Sequence, residues 1–231
     1  MQTGGRLQYL EALGIDTWVP RHAHSSVARM PRPDAQAGGI SPDWQSLQAE
    51  VAGCVKCALH KTRTRTVFGV GNPQADWLVI GEAPGAEEDR QGEPFVGAAG
   101  KLLDAMLQAI GLARGKNVFV ANMLKCRPPG NRDPKPEEVV SCMPYLMRQI
   151  AAIRPKLILT VGRIAAQNLL GTNVPLGQLR GRVHRFGPSS TALIVTYHPA
   201  YLLRAPGEKR KAWEDLKFAR DFFKQSSLPG P

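Results

Sequence analysis

The sequence predicts a three-layer α/β/α fold around a central, mostly parallel four-stranded sheet. Two observations carry that expectation. Short apolar runs of buried-strand type alternate with amphipathic helical segments, and helices inserted between strands cover both faces of a parallel sheet. The 231 residues suit one globular domain with room for a terminal appendage.

The elements follow in chain order. Residues 1–42 separate from the rest as a flexible N-terminal arm. Arg6 to Ile15 forms a short amphipathic helix, ended by Gly14 and the turn from Asp16 to Pro20. Beyond it lie Pro20, Pro31, Pro33, Gly38, Gly39 and Pro42, with few apolar residues and no periodicity. Such a stretch buries too little surface to offset its ordering entropy. The domain is residues 43–231. Its strands are Trp77 to Ile80, Val118 to Val120, Leu157 to Val161 and Leu193 to Thr196. Between them the 3.6-residue period places helices over Gly100 to Ile110, Ser141 to Ile153 and Arg163 to Leu170, and a last helix runs from Gly207 to Phe223. Pro144 would break a helix interior, so Ser141 is expected as the N-cap, leaving Pro144 in the first turn.

Thirty Lys and Arg against 19 Asp and Glu leave a net charge of +11. The arm holds four cations and three acids, so +10 of that surplus belongs to the domain. A basic surface of this size fits a polyanion, nucleic acid before anionic membrane. No apolar run is long enough for a membrane span, so no membrane association is expected. The N-terminus carries no apolar segment of signal type, which points to a cytoplasmic protein. Four cysteines are too few for a disulfide scaffold of this length, so reduced thiols or metal ligands are expected.

In open α/β sheets, ligands bind beyond the carboxyl ends of the strands. The segments there are Gly81-Glu82-Ala83-Pro84-Gly85, Asn122 to Arg127, Gly162-Arg163 and Tyr197 to Tyr201, all rich in polar or backbone-special residues. The cysteines form a second constellation. Cys54 and Cys57 make a C-x2-C pair, and Cys126 and Cys142 follow from a distant region. Four thiolates drawn from two regions suit a tetrahedral zinc or an iron–sulfur cluster, and their spacing does not choose between the two. Lys56, Lys61, Arg63, Arg65, Lys125 and Arg127 flank them, positioned to balance a cluster's negative charge or to reach phosphates.

These motifs together resemble the family-4 uracil-DNA glycosylases, the iron–sulfur branch of the uracil-DNA glycosylase superfamily. The resemblance runs from Trp44 to Phe223. It rests on Cys54-x2-Cys57, GEAPG at Gly81 to Gly85, Glu87-Glu88-Asp89, Pro94-Phe95-Val96-Gly97, NMLKCRPP from Asn122 to Pro129, Cys142, and HPAYLLR from His198 to Arg204. It implies a monomeric enzyme that hydrolyses the N-glycosidic bond of deoxyuridine in DNA, and a 4Fe–4S cluster on Cys54, Cys57, Cys126 and Cys142. It further implies that the uracil is flipped out of the stack and held by Phe95, with Gly81, Ala83, Gly85 and Glu88 around it. Asn122 would read the base edge, and His198 would stabilise the departing uracil anion at O2. Ala83 stands where the best-known branch of the superfamily has a water-activating Asp. Glu82 is therefore the expected acidic site residue, with Glu88 crowding the position of a thymine methyl. Leu202, or its neighbour Leu203, would fill the gap left by the flipped nucleotide, and Arg204 would steady a phosphate.

The cation clusters Arg180, Arg182 and Arg185, and Lys209, Arg210 and Lys211, are expected to add salt-dependent backbone affinity. The arm offers Tyr9, Leu10, Leu13 and Trp18 to a repair or replication partner. Two rival readings are a homologue acting on another deaminated base such as hypoxanthine, and a non-catalytic metal-binding DNA module.

Overall fold

The computed structural model describes residues 42–226. The expected arm helix and its partner-binding residues lie outside them. Helix α1 (Pro42–Ala52) and a 3-10 turn (Ala58–Lys61) precede strand β1 (Val70–Gly71). Then come β2 (Trp77–Gly81), α2 (Ala86–Gln91), α3 (Ala98–Ala109), β3 (Val118–Asn122), α4 (Pro136–Ile153), β4 (Leu157–Val161), α5 (Arg163–Leu170) and α6 (Leu176–Leu179). The chain continues through β5 (His184–Phe186), β6 (Thr191–Thr196), α7 (Pro199–Arg204) and α8 (Lys209–Ser226).

The sheet has six strands in the order β1-β3-β2-β4-β6-β5. The central four, β3, β2, β4 and β6, are parallel to their neighbours. The expected four-strand sheet is therefore this centre. The structure adds an antiparallel edge strand on each side, β1 on β3 and β5 on β6. These edges are two and three residues long and carry no apolar run, so the ladder they join defines them.

Side-chain alternation along the strands splits the interior in two. Leu78, Ile80, Phe119, Ala121, Ile158, Leu193 and Val195 face one core, completed by Trp44 and Leu47 of α1, Leu146 and Ile150 of α4, and Leu169 of α5. Trp77, Val79, Val118, Val120, Leu157, Leu159 and Ile194 face the other, completed by Leu103 and Leu107 of α3 and Leu216 of α8. The period of two in the strands thus produces the three layers. Among the described residues, no helix is long and apolar enough to cross a membrane.

One helix boundary departs from expectation. α4 begins at Pro136, with Glu138 accepting the Lys135 N–H at 2.8 Å, and Pro144 lies in its interior. Ser141 is no cap; its hydroxyl donates to the Glu137 carbonyl one turn back. The proline leaves the Val140 carbonyl without its helical donor. Val140 is among the most exposed apolar residues, so water can take that donor's place.

Candidate active site

The parallel register delivers the first pair of site residues. Gly81 and Asn122 are partners at the carboxyl ends of β2 and β3. A Cβ on Gly81 would collide with the Asn122 amide oxygen and would sit 2.6 Å from the Phe95 ring. Only glycine leaves both groups where they are. A cavity opens here beyond the strand ends, lined by Glu82, Ala83, Gly85, Glu88, Phe95, Asn122, His198 and Arg204. The structure therefore brings together the expected pocket residues, drawn from four separate segments.

Asn122 is 2% exposed, and its amide oxygen is one of two buried side-chain polar atoms without a hydrogen-bond partner among the described residues. A buried acceptor left unpaired costs about 1–3 kcal/mol. Its position at the cavity makes it a standing acceptor for a ligand donor.

Phe95 adopts φ 55°, a region that costs a non-glycine residue about 1–3 kcal/mol unless its surroundings enforce it. Arg114 does so, donating to the carbonyls of Pro94 at 2.7 Å and of Phe95 at 2.8 Å. On the other side, a Cβ at Gly100 would collide with the Phe95 carbonyl. The ring so held lies 5.6 Å from the His198 imidazole, with 30° between their planes. Glu88 ties the same loop to the GEAPG turn. One carboxylate oxygen accepts the Gly85 N–H at 3.0 Å, and the other accepts the N–H groups of Val96 at 3.0 Å and Gly97 at 3.3 Å.

His198 caps α7: its Nδ1 accepts the Ala200 N–H at 3.1 Å. That bond places the imidazole proton on Nε2. Burial, with the Arg204 cation adding to it and Glu88 opposing, pushes the imidazole down to about 4. The ring is thus a neutral donor at physiological pH. Glu82 moves the other way. Burial first, then the Asp133 carboxylate, push it up to about 7, against the pull of Arg163. Asp133 and Arg163 are themselves an ion pair at 3.2 Å.

Two sequence expectations need correction. Leu202 is 1% exposed and lies in the core on the α3 and α8 side, whereas Leu203 is 44% exposed. α7 has to bury one face against that core, and Leu202 is on it. Leu202 therefore does not face solvent as an inserting residue must. Arg180 is no free phosphate contact either. It is paired with the buried Asp215 at 2.6 Å and 3.0 Å. Arg185 stands opposite Ala192 near the start of β6, at the other end of the sheet from the cavity.

All four cysteines line one second cavity, with Arg63, Lys125 and Tyr145. Donors are aimed at their sulfurs. Arg63 donates to Cys126 Sγ at 3.3 Å, and the Lys125 backbone N–H to Cys142 Sγ at 3.2 Å. Burial pushes the Cys142 thiol up to about 11 and raises Cys126 as well, so ionising them calls for a cation between them. Among the described residues, no three His, Cys, Asp or Glu side chains converge closely enough to hold a single metal ion.

A buried tie joins the two cavities, and sequence reasoning missed it. The Lys125 ammonium is 1% exposed and donates to the Asn122 carbonyl at 2.8 Å and to Gln149 Oε1 at 2.6 Å. Gln149 in turn donates to the Phe68 carbonyl at 2.9 Å. A lysine beside a cysteine, in a basic segment, gives no sign in the sequence of pointing inward. Arg114 and Asp133 were missed for a similar reason, since each acts through a residue far away in the chain.

A model of the uracil DNA glycosylase superfamily matches residues 68–217. The chain is 49% identical over 175 residues to the type-4 uracil-DNA glycosylase of Archaeoglobus fulgidus, a match covering 73% of this chain and 87% of that protein. It is 43% identical over 180 residues to the type-4 uracil-DNA glycosylase of Pyrobaculum aerophilum, covering 75% of this chain and 91% of that protein. To the type-4 uracil-DNA glycosylase of Thermotoga maritima it is 40% identical over 179 residues, covering 76% of this chain and 92% of that protein.

Proposed function

Since the chain belongs to the type-4 uracil-DNA glycosylases of the uracil DNA glycosylase superfamily, we propose that it hydrolyses the N-glycosidic bond of deoxyuridine in DNA. It releases uracil and leaves an abasic site, as a repair enzyme of the cytoplasm. The observation that carries this reading is the buried, unpaired amide oxygen of Asn122 at the cavity. Uracil presents an N3–H donor to it, whereas cytosine presents a lone pair at the same atom. That mismatch leaves two buried acceptors facing each other, and a site built for a donor rejects such an analogue strongly.

The flipped base stacks on Phe95, which Arg114 and Gly100 hold in place before the substrate arrives. As the C1′–N1 bond breaks, the electron pair leaves with uracil and charge gathers on O2. The neutral His198 donates its Nε2–H there, an interaction stronger in the transition state than in the ground state. A water oxygen bonds to C1′ and its proton passes to the Glu82 carboxylate and on to solvent. Ala83 offers no acid–base group, so the step is dissociative and driven mainly by leaving-group stabilisation. Glu88, immobilised by three N–H donors, narrows the side of the pocket where thymine carries its methyl. Leu203 takes the wedge position, and Arg204 steadies a phosphate at the cavity mouth.

Cys54, Cys57, Cys126 and Cys142 hold a 4Fe–4S cluster in this reading. Four thiols lining one space, with N–H donors on two of them, fit the four-thiolate ligation of such a cluster, and the type-4 relatives favour it over zinc. Bound there, the cluster cross-links the segments that carry the site and plays no redox part, because hydrolysis transfers no electrons. A brown protein with visible absorption is the expected sign, a colourless one the sign of zinc.

The test is base release from oligonucleotides carrying uracil, hypoxanthine or a G·T mismatch, scored by cleavage at the abasic site. Release from the uracil strand alone is expected. Near-normal single-turnover rates in both His198→Ala and Asn122→Ala would overturn the mechanism. In Asn122→Ala the loss of activity should come with little fall in Tm, because losing an unpaired buried oxygen offsets the small cavity that the truncation leaves.

A further inference from the structure

A ladder of flat groups rises from the core to the mouth of the active-site cavity. At its base, Asp215 is 2% exposed; it accepts from the Thr196 hydroxyl at 2.8 Å and from Arg180 at 2.6 Å and 3.0 Å. Arg180 also donates to the Lys211 carbonyl at 2.7 Å, so its guanidinium is fixed. Its Cζ lies 4.4 Å from the centre of the Tyr197 ring. Tyr197 and Tyr201 are stacked, with ring centres 5.3 Å apart and 18° between their planes. Tyr201 ends the ladder. It is 40% exposed and lines the same cavity as His198 and Arg204.

Packing alone accounts for Arg180, which is tied to the buried Asp215, and for Tyr197, which is sandwiched between Arg180 and Tyr201. It does not account for a large ring left open at the mouth of a cavity, two residues from Leu203, which is also exposed. We propose that Tyr201 is a stacking platform for an unpaired nucleobase of the uracil-bearing strand, the base immediately next to the flipped uridine. The inference rests on the reading that this cavity takes uracil from DNA, and it adds a single-stranded substrate to it. The ring is already ordered by Tyr197 beneath it, so little side-chain entropy is lost on binding. A base in a duplex already stacks on both neighbours and gains little by moving to Tyr201, whereas an unpaired base gains the whole contact. Every base has such a face, so the platform is tolerant of sequence.

The experiment compares wild type with Tyr201→Ala, Tyr201→Phe and Tyr201→Trp on single-stranded and duplex oligonucleotides. These carry 2′-fluoro-2′-deoxyuridine, which resists hydrolysis, and 2-aminopurine on its 5′ or its 3′ side. Binding of wild type should quench the 2-aminopurine at one of these positions in the single strand. Tyr201→Ala should abolish that quenching and weaken single-strand binding by about 5- to 100-fold, the range that one base–aromatic contact supports. Its effect on the duplex should be several-fold smaller, and the Phe and Trp variants should keep both signals. An unquenched 2-aminopurine on both sides, or an equal loss on the two substrates, overturns the proposal. Phe and Trp preserve the packing on Tyr197, so a folding defect in Tyr201→Ala alone leaves the quenching in wild type as the deciding signal. The failures are distinguishable: quenching without any uracil release from ordinary substrate sinks the glycosylase reading alone, and release without quenching sinks the platform alone.

Discussion

The base cavity and the four-cysteine cavity differ in what is left unpaired, although one segment, Asn122 to Cys126, contributes to both. The base cavity holds groups kept away from their preferred states. Asn122 has an unpaired buried oxygen, Phe95 a left-handed backbone, Glu82 a carboxyl pushed up to about 7, and His198 an imidazole pushed down to about 4. The cysteine cavity also displaces its groups, since burial pushes the Cys142 thiol up to about 11, but it gives them hydrogen-bond partners, with donors on Cys126 and Cys142 and a buried lysine bonded at two acceptors. An unpaired acceptor and a left-handed backbone gather where a base would bind, and paired donors gather around the thiols. The Lys125 bond to the Asn122 carbonyl shows how one supports the other.

Substitutions should therefore separate along this line. The largest effect on rate is expected for His198→Ala, which removes a donor at the developing charge and should slow single-turnover uracil release by about 10²–10³-fold. Its Tm should fall only by what a helix cap is worth, about 1 kcal/mol. If stability collapsed in step with the rate, the division between the two cavities would be wrong.

Cys126→Ser tests the other side. A cluster site contributes folding free energy directly, and a loss of only about 3 kcal/mol lowers Tm by roughly 10 °C in a domain of this size. Thermal melting and visible absorption should change together, with uracil release following stability. A variant that loses absorption but keeps its Tm would show that the cysteines are not part of the framework.

The smallest effect sharpens the comparison through pH. Release should rise as pH climbs through about 7, because Glu82 accepts the water's proton only after losing its own. No acid limb from His198 is expected above about pH 4. The same carboxyl bears on stability. With a folded value near 7 and its ordinary value of 4.5, the folded chain binds the extra proton between those limits, so this contribution to stability is complete below about 4.5 and is lost as pH rises through about 7. Glu82→Gln should remove the rate limb and gain in Tm over wild type between pH 5 and pH 8. Rate and melting profiles measured side by side check both.

Much of this arrangement was legible before any coordinates. The four central strands announced themselves because a strand buried on both faces must be apolar throughout, and the residues after each strand were the right place to look for chemistry. The cysteines stood out by the C-x2-C pair, and the individual pocket residues were named through the motifs that resemble the family. What stayed hidden depended on partners far away in the chain. β1 and β5 exist because β3 and β6 offer them a ladder. Arg114 acts on Phe95 across 19 residues, and the bond from Arg180 to Asp215 spans 35.

The neighbouring leucines of α7 draw the boundary most sharply. Residue type and spacing indicated a cationic α/β domain with polar segments after its strands and four thiols, and the resemblance to the family gave Asn122 and His198 their expected roles. Which leucine faces solvent, which arginine is already spent on Asp215, and that Tyr201 stands open on a stacked ladder were settled by packing. Burial and direction belong to the assembled layers, and a one-residue step along a six-residue helix is enough to turn a side chain from water into the core.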